Sequence, residues 1–151
     1  MDMDTEYFAQ HIQCTREGKQ ECLFTVRLLL ELAFAARQNG LLKMEELIRE
    51  DNRFSDAFLR KAVNLVVEIS SPELIRKVLY NYIFSSNYVS NQRFLNCIII
   101  TETILAISRS EDTDYIFTYL VPSYFGMEYE NEALNVYENY KEQLLHAPKP
   151  E

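Results

Sequence analysis

Apolar side chains recur every three or four residues along most of this chain, which is the period of an α-helix with one buried face. In the segment 55–69, polar side chains occupy the opposite face, and the apolar positions are Phe58, Ala62, Leu65, Val66 and Ile69. The same spacing predicts eight helices, near residues 5–15, 19–38, 41–50, 55–69, 72–85, 91–108, 112–121 and 128–145.

Two of the breaks between these helices carry local signals. Asn39 and Gly40 end the second helix, because glycine readily adopts the left-handed conformation that terminates a helix and asparagine tolerates it. Ser70 is predicted to cap the fifth helix, with Glu73 three residues on and Pro72 at a position where a missing N–H costs little. The connection between the helices at 72–85 and 91–108 is also short, so these two helices are expected to pack as antiparallel neighbours.

Few residues favour the turns that a β-sheet needs. The chain has only three glycines and four prolines, which is too few for a series of hairpins or a barrel. We therefore predict an all-α fold, a helical bundle of stacked αα-hairpins. The 151 residues suit a single domain, with its last helix at 128–145 and a frayed tail at 146–151.

Charge and hydropathy limit the class of partner. With 15 Lys and Arg against 23 Asp and Glu, the formal net charge is -8 and the pI about 4.8, which disfavours nucleic acid and anionic lipid surfaces. The longest apolar stretch, 97–107, has about half of the roughly 20 residues that a membrane helix needs. The N-terminus begins acidic, unlike a signal peptide. We expect a cytoplasmic protein that neither binds nucleic acid nor inserts into a membrane.

Catalytic and metal-binding groups are scarce in the sequence. The two histidines are His11 and His146, and no glycine-rich phosphate loop occurs. His11, Cys14 and Cys22 lack a fourth ligand at a suitable spacing, so the cysteines are expected to pack as small apolar side chains in a reducing compartment. The sequence thus predicts no catalytic residue, no metal and no cofactor, and we expect a protein that is not an enzyme.

Glu102 stands out within an apolar helix. Its neighbours three and four positions away are Ile98, Ile99, Leu105 and Ala106. A carboxylate in such surroundings needs a cation or a hydrogen-bond donor. We predict a structural buried charge paired with an arginine or a tyrosine hydroxyl rather than a catalytic acid, since no second acid or base is placed to act with it.

A cluster of mixed charges surrounds the break at Gly40. It allows two interpretations: a solvated helix face with neighbouring i,i+4 charges, or a surface presented to a partner. Its members are Arg37, Lys43, Glu45, Glu46, Arg49, Glu50, Asp51 and Arg53.

Two segments of the chain show a faint internal similarity. Residues 58–79 and 94–120 each combine a long apolar helix, a Ser-rich acidic break and a second amphipathic helix. Tandem hairpins of this kind occur in HEAT-like arrays, although two copies are fewer than a solenoid normally needs. Together with the tyrosine-rich C-terminal region, this favours an alternative function as a general helical-hairpin adaptor or scaffold unrelated to motility.

Three blocks of the sequence resemble a known family. They read ARQNGLLKMEELI at 36–48, AFLRKAVNLVVEISSPELIRKVL at 57–79 and IIITETILAISRSEDTDYIFTYLVPSYF at 98–125. In this order they are similar to cytoplasmic parts of the flagellar motor stator subunit MotA, over a region of about 28–125. The resemblance implies the helical cytoplasmic shape of that family.

The sequence also departs from the family pattern. A short, mostly polar segment at 85–94 stands where the family has a membrane hairpin. The resemblance therefore implies no proton channel. Thr103 and Ser110 replace two glycines of the family, and Asp112 and Thr113 replace an Asn-Pro pair.

The first block carries the functional part of the resemblance. In the family, an arginine and a glutamate of this block contact charged groups on the rotor protein, and they correspond to Arg37 and Glu45. The resemblance implies a non-enzymatic domain that binds a protein partner, such as a flagellar rotor or motor component. The residues expected at the contact are Arg37, Glu45, Glu46 and Arg49.

Overall fold

The computed structural model describes residues 12–86 and 91–146 of the chain. Within these two stretches all regular secondary structure is helical, which confirms the predicted all-α bundle. The helices are α1 (Arg16–Asn39), α2 (Leu41–Glu50), α3 (Ala57–Glu68), α4 (Pro72–Ser85), α5 (Asn91–Ser108), α6 (Thr113–Tyr115, a π-helical turn Ile116–Leu120, and Val121–Ser123) and α7 (Glu130–His146).

The first predicted helix needs correction at its end. Its residues 5–11 lie outside the described residues, and residues 13–15 are not helical. Thr15 has an extended backbone, and its side-chain oxygen accepts a hydrogen bond from the Gly18 N–H at 3.1 Å. Thr15 therefore caps α1 at its N-terminus, and a helix continuing through residue 15 is excluded.

The cap of α4 also differs from the prediction by one residue. Ser71, not Ser70, accepts a hydrogen bond from the Leu74 N–H, at 3.4 Å. The reason is that Pro72 occupies the first helical position, so the residue directly before it is the cap. The expected capping box between Ser70 and Glu73 is accordingly not formed.

Helix α5 is the centre of the bundle. Every residue from 94 to 107 is buried except the half-buried Glu102, and α5 packs against α1, α3, α4 and the π-helical turn of α6. A helix that is apolar all round is stable only when other elements enclose it. Within the described parts of the chain, no helix is both long and apolar enough to cross a membrane.

Two polar contacts fix α5 against its neighbours. Arg76, near the start of α4, binds Glu102, near the end of α5, so the two helices run antiparallel. Arg93, near the start of α5, binds Asp56, which is also the N-cap of α3 and accepts hydrogen bonds from two N–H groups of that helix. Burial alone would raise the pKa of Asp56, but the Arg93 guanidinium and these N–H groups outweigh it and lower the pKa.

The π-helical turn in α6 has a local cause. Pro122 lacks an N–H and its ring would press on the Thr118 carbonyl in a regular α-helix. The turn widens instead, and the Val121 N–H donates to the Ile116 carbonyl, five residues back. Pro122 was visible in the sequence, but the widened turn was not predicted.

Candidate partner-binding surface

Gly40 alone connects α1 to α2 and forms a sharp corner. Its φ of 87° and ψ of 171° lie in a region that only glycine populates readily. The positive φ agrees with the prediction, but the ψ shows that this is not the ordinary left-handed helical conformation. The Gly40 N–H donates to the Ala36 carbonyl at 2.7 Å, which closes the last turn of α1.

Arg37 lies in the last turn of α1, beside this corner. Its side chain is 63% exposed, and Nη1 lies 3.3 Å from Thr113 Oγ1 and 4.0 Å from Asp112 Oδ1. An exposed ion pair of this length contributes about 0–1 kcal/mol. The guanidinium is therefore accessible and only weakly held by its own chain.

The other three predicted contact residues lie on α2. Met44 and Ile48 bury one face of this helix, Glu45 and Glu46 are half-buried, and Arg49 is exposed. These three do not form the i,i+4 pairs that the sequence allowed.

Within the described stretches of the chain, one ion pair involves α2. Glu46 lies 3.4 Å from Lys43 Nζ. Among residues 12–86 and 91–146, no ion pair involves Glu45 or Arg49. Both charges are thus available to a partner.

A cleft of about 450 Å³ opens between the Gly40 corner and the turn that joins α5 to α6, and we call it the corner cleft. Arg37 and Leu41 line it from the corner, and Asp112 lines it from the turn. Glu45 lies one helical turn beyond Leu41 on the same side of α2. The remaining apolar wall of the corner cleft consists of Ala33, Ala36, Ile107 and Ile116.

The α5–α6 turn that forms the opposite wall is held by a helix-ending motif. The Glu111 N–H donates to the Ala106 carbonyl at 3.1 Å, and the Ser110 N–H donates to the Ile107 carbonyl at 3.0 Å. This hydrogen-bond pattern requires a left-handed residue at Ser110, whose φ is 59°. Serine adopts this conformation at a cost that glycine avoids.

Two other members of the charge cluster, Asp51 and Arg53, hold the loop that follows α2. Arg53 makes two contacts to Glu31 on α1, at 2.5 and 2.9 Å, and a further contact to Asp51 at 2.8 Å. The hydrogen bonds to Asp51 and Glu31 raise the pKa of Arg53. The loop after α2 is therefore tied to α1.

A second cleft, of about 420 Å³, shares Arg37, Asp112 and Thr113 with the corner cleft, and we call it the Leu145 cleft. Its apolar floor is formed by Phe34 of α1 with Leu144 and Leu145 of α7. Its charged rim consists of Arg37, Lys141, Asp112 and Asp114.

Glu102 has the kinds of partner expected for a structural charge. Oε1 accepts from Arg76 Nη2 at 2.6 Å, and Oε2 accepts from Arg76 Nε at 3.2 Å and from the Tyr80 hydroxyl at 3.0 Å. Burial and then the Glu102 charge raise the pKa of Tyr80, which keeps the hydroxyl protonated as a donor. Each carboxylate oxygen is thus occupied by contacts within the bundle.

The cysteines show no arrangement for metal binding. None of the three cysteines forms a disulfide; Cys22 and Cys97 are buried and Cys14 is partly buried. Burial raises the pKa of the Cys22 thiol to about 12. No group of three or more potential metal ligands occurs among the described residues, and His11 lies outside them.

Comparison with models of protein families, with curated proteins and with solved structures finds no match for this chain. The candidate surface therefore depends on its own geometry. That geometry adds two residues that the sequence analysis did not place there, Asp112 and Thr113, both in contact with Arg37. They are also the two residues that replace the Asn-Pro pair of the family pattern.

Proposed function

We propose that this chain is a non-enzymatic, cytoplasmic protein-interaction domain that binds a protein partner at the Gly40 corner. The residues in contact are Arg37, Glu45, Glu46 and Arg49. The observation that carries the proposal is the accessibility of Arg37: its guanidinium is mostly exposed, and among the described residues it lies at ion-pair distance from a single, exposed carboxylate.

Opposite charges lie on the two sides of the corner, and this determines the chemistry of the partner. Arg37, in the last turn of α1, attracts an acidic group, whereas Glu45 on α2 attracts a basic group one helical turn beyond Leu41. A partner with an acidic and a basic side chain in matching positions gains specificity and a faster encounter from both contacts. Together with the resemblance described above, this favours a component of the flagellar rotor.

The corner cleft offers a place for an apolar side chain of the same partner. It lies between Leu41 and Ile116 and is bordered by Arg37. Binding interfaces generally combine such an apolar centre with a charged rim. We infer that the charges orient the partner and that an apolar contact in the corner cleft contributes most of the affinity.

Association kinetics with a purified rotor protein would test this proposal. Arg37→Glu should lower the association rate by about tenfold or more at low salt, and the loss should shrink as added salt screens the charges. Thermal stability should stay nearly unchanged, because the ion pair with Asp112 is long and exposed.

Lys77→Glu is the matched control. Lys77 is exposed on α4, and the substitution changes the net charge by the same amount, from +1 to -1 at one position. If both variants slow association equally, the effect comes from net charge alone and the Gly40 corner is not the binding surface. An unchanged rate for Arg37→Glu would also contradict the proposal.

A helical adaptor unrelated to motility is the second candidate function. It is favoured by Tyr115 and Tyr119, which are exposed one turn apart on α6, because tyrosine is enriched in protein interfaces. Against it, α5 packs with several elements at once, whereas each repeat of a solenoid contacts only its neighbours. Partner binding that is lost with Tyr119→Ser and kept with Arg37→Glu would support this second candidate.

A further inference from the structure

We propose that the Leu145 cleft binds a second copy of this chain, so that two copies form a symmetric dimer through α7 and the end of α1. This proposal goes beyond the partner binding at the Gly40 corner and does not depend on it. The corner cleft and the Leu145 cleft share Arg37, Asp112 and Thr113.

The floor of the cleft is apolar and open to solvent. Leu145 is 83% exposed, and Leu144 beside it is also exposed, while Phe34 supplies the adjoining wall from α1. Two consecutive exposed leucines beside a partly buried phenylalanine form a contiguous apolar patch, which marks an interaction site more often than scattered apolar residues do. Burying Leu145 against another copy removes most of its surface from water.

The charges on the rim favour a second copy over other occupants. Arg37 and Lys141 contribute two positive charges and Asp112 and Asp114 two negative charges, so the rim is neutral. The whole chain carries a formal charge of -8, and two copies repel each other wherever acidic surfaces meet. A locally neutral surface allows copies of this acidic chain to approach closely.

The rim is also complementary to itself. In a symmetric dimer each contact between two residues occurs twice, with the roles of the copies exchanged. Lys141 of one copy can therefore bind Asp114 of the other while Asp114 of the first binds Lys141 of the second. Within one chain Lys141 Nζ lies 3.9 Å from Asp114 Oδ1 and 3.4 Å from Glu138 Oε1, and Asp114 Oδ1 also accepts a hydrogen bond from the Tyr137 hydroxyl at 2.9 Å. Both carboxylates are exposed, so the two ion pairs are weak and can be exchanged for contacts across the dimer.

Sedimentation equilibrium of the full chain over a range of about 1 µM to 1 mM is the test. We expect reversible dimerisation of the native chain. Leu145→Asp should raise the dimer dissociation constant at least about tenfold, because the symmetric interface contains the change twice and buries a charge in an apolar contact each time. Circular dichroism should show an unchanged helix content, since Leu145 is exposed.

Leu74→Asp is the matched control. Leu74 is an exposed leucine on α4, outside the Leu145 cleft, and receives the same charge. It should leave the dissociation constant within about twofold of the native value. A monomer throughout the concentration range, or equal weakening by both substitutions, would overturn the proposal.

A charge exchange tests the rim separately. Lys141→Asp alone should prevent dimerisation, because it makes each rim net negative. The double variant Lys141→Asp with Asp114→Lys restores a neutral rim and should recover most of the native affinity. If the double variant stays as weak as Lys141→Asp, the contact between these two residues across the dimer is excluded.

Discussion

Arg76 of α4 and Glu102 of α5 form a two-point ion pair: Arg76 Nη2 and Nε donate to the two carboxylate oxygens of Glu102 at 2.6 and 3.2 Å. The pair is partly shielded from solvent, since 28% of the Arg76 side chain and 13% of the Glu102 side chain are exposed. Contacts of this geometry are stronger than single-point ion pairs because both hydrogen bonds are charge-assisted.

Glu102→Ala should lower the free energy of unfolding by about 2–3 kcal/mol, because it leaves Arg76 and the Tyr80 hydroxyl without their acceptor. Glu102→Gln should cost about 1 kcal/mol less, since the amide oxygen still accepts one hydrogen bond. Urea unfolding at neutral pH measures both, and a double-mutant cycle with Arg76→Met isolates the pair. Equal costs for Gln and Ala would contradict a direct role of the contact.

Ser110→Gly should stabilise the domain by about 0.5–1 kcal/mol. Ser110 has a φ of 59°, and glycine adopts this conformation without the steric cost that serine incurs. Glycine also raises the entropy of the unfolded chain, which offsets part of this gain in stability. Ser108→Gly, two residues earlier and still helical, serves as the control and should destabilise by a similar amount. Thermal unfolding of both variants measures the two changes in stability. A loss of stability with Ser110→Gly would contradict the prediction.

Gly40→Ala should destabilise the domain by about 1–3 kcal/mol through the backbone alone. A Cβ added at Gly40 meets no atom within 4 Å, so the whole effect comes from the φ of 87°. Denaturant unfolding measures the loss of stability: a lower midpoint with an unchanged slope indicates a less stable folded state, whereas a changed slope indicates a change in the compactness of the unfolded state. A neutral result would mean that the corner relaxes to another conformation, and partner binding should then change as well.

Thr103→Val should leave the stability unchanged or raise it by up to about 1 kcal/mol. Thr103 is fully buried on α5, and its hydroxyl has no hydrogen-bond partner among the described residues. Thr101 is the matched control, because it is equally buried but donates to the Cys97 carbonyl at 2.8 Å. Thr101→Val should therefore cost about 1 kcal/mol. Equal effects in calorimetry would show that Thr103 also has a partner.

Asp56 should make the stability depend on pH in the acid range. Its pKa is lowered in the folded domain, so its contribution is complete above the unfolded value of about 3.9 and is lost as the pH falls through the folded pKa. Asp56→Asn keeps an N-cap for α3 but loses the charge that binds Arg93. The stability difference between the native chain and this variant should thus be constant near neutral pH and shrink below about pH 4. Urea unfolding over a pH series measures it, and a difference independent of pH would exclude the ion pair with Arg93.

The helices were largely predictable because their limits have local causes. Pro72 begins α4, Gly40 separates α1 from α2, and the apolar period fixes which side is buried. The errors also have local causes that the sequence left open. Either Ser70 or Ser71 could cap α4, and Pro122 allowed either a helix end or the widened turn that forms.

The candidate surface was less predictable because it depends on contacts between distant residues. Arg37 and Arg53 belong to the same charge cluster in the sequence, yet Arg53 is bound to Glu31, 22 residues away, and Arg37 remains exposed. Nothing in the local pattern separates the two. The contact of Arg37 with Thr113, 76 residues away, depends on the position of the turn after α5 and is visible only in three dimensions.

The enclosure of α5 has a consequence for the fluctuations of the native state. An amide proton exchanges with solvent only when its helix opens, and α5 can open only if the helices packed against it separate. Its amides should therefore exchange at the rate set by complete unfolding, while those at the exposed end of α7 exchange through local fraying. Hydrogen exchange should accordingly show one cooperative unit built on α5, with its slowest protons at the centre of that helix.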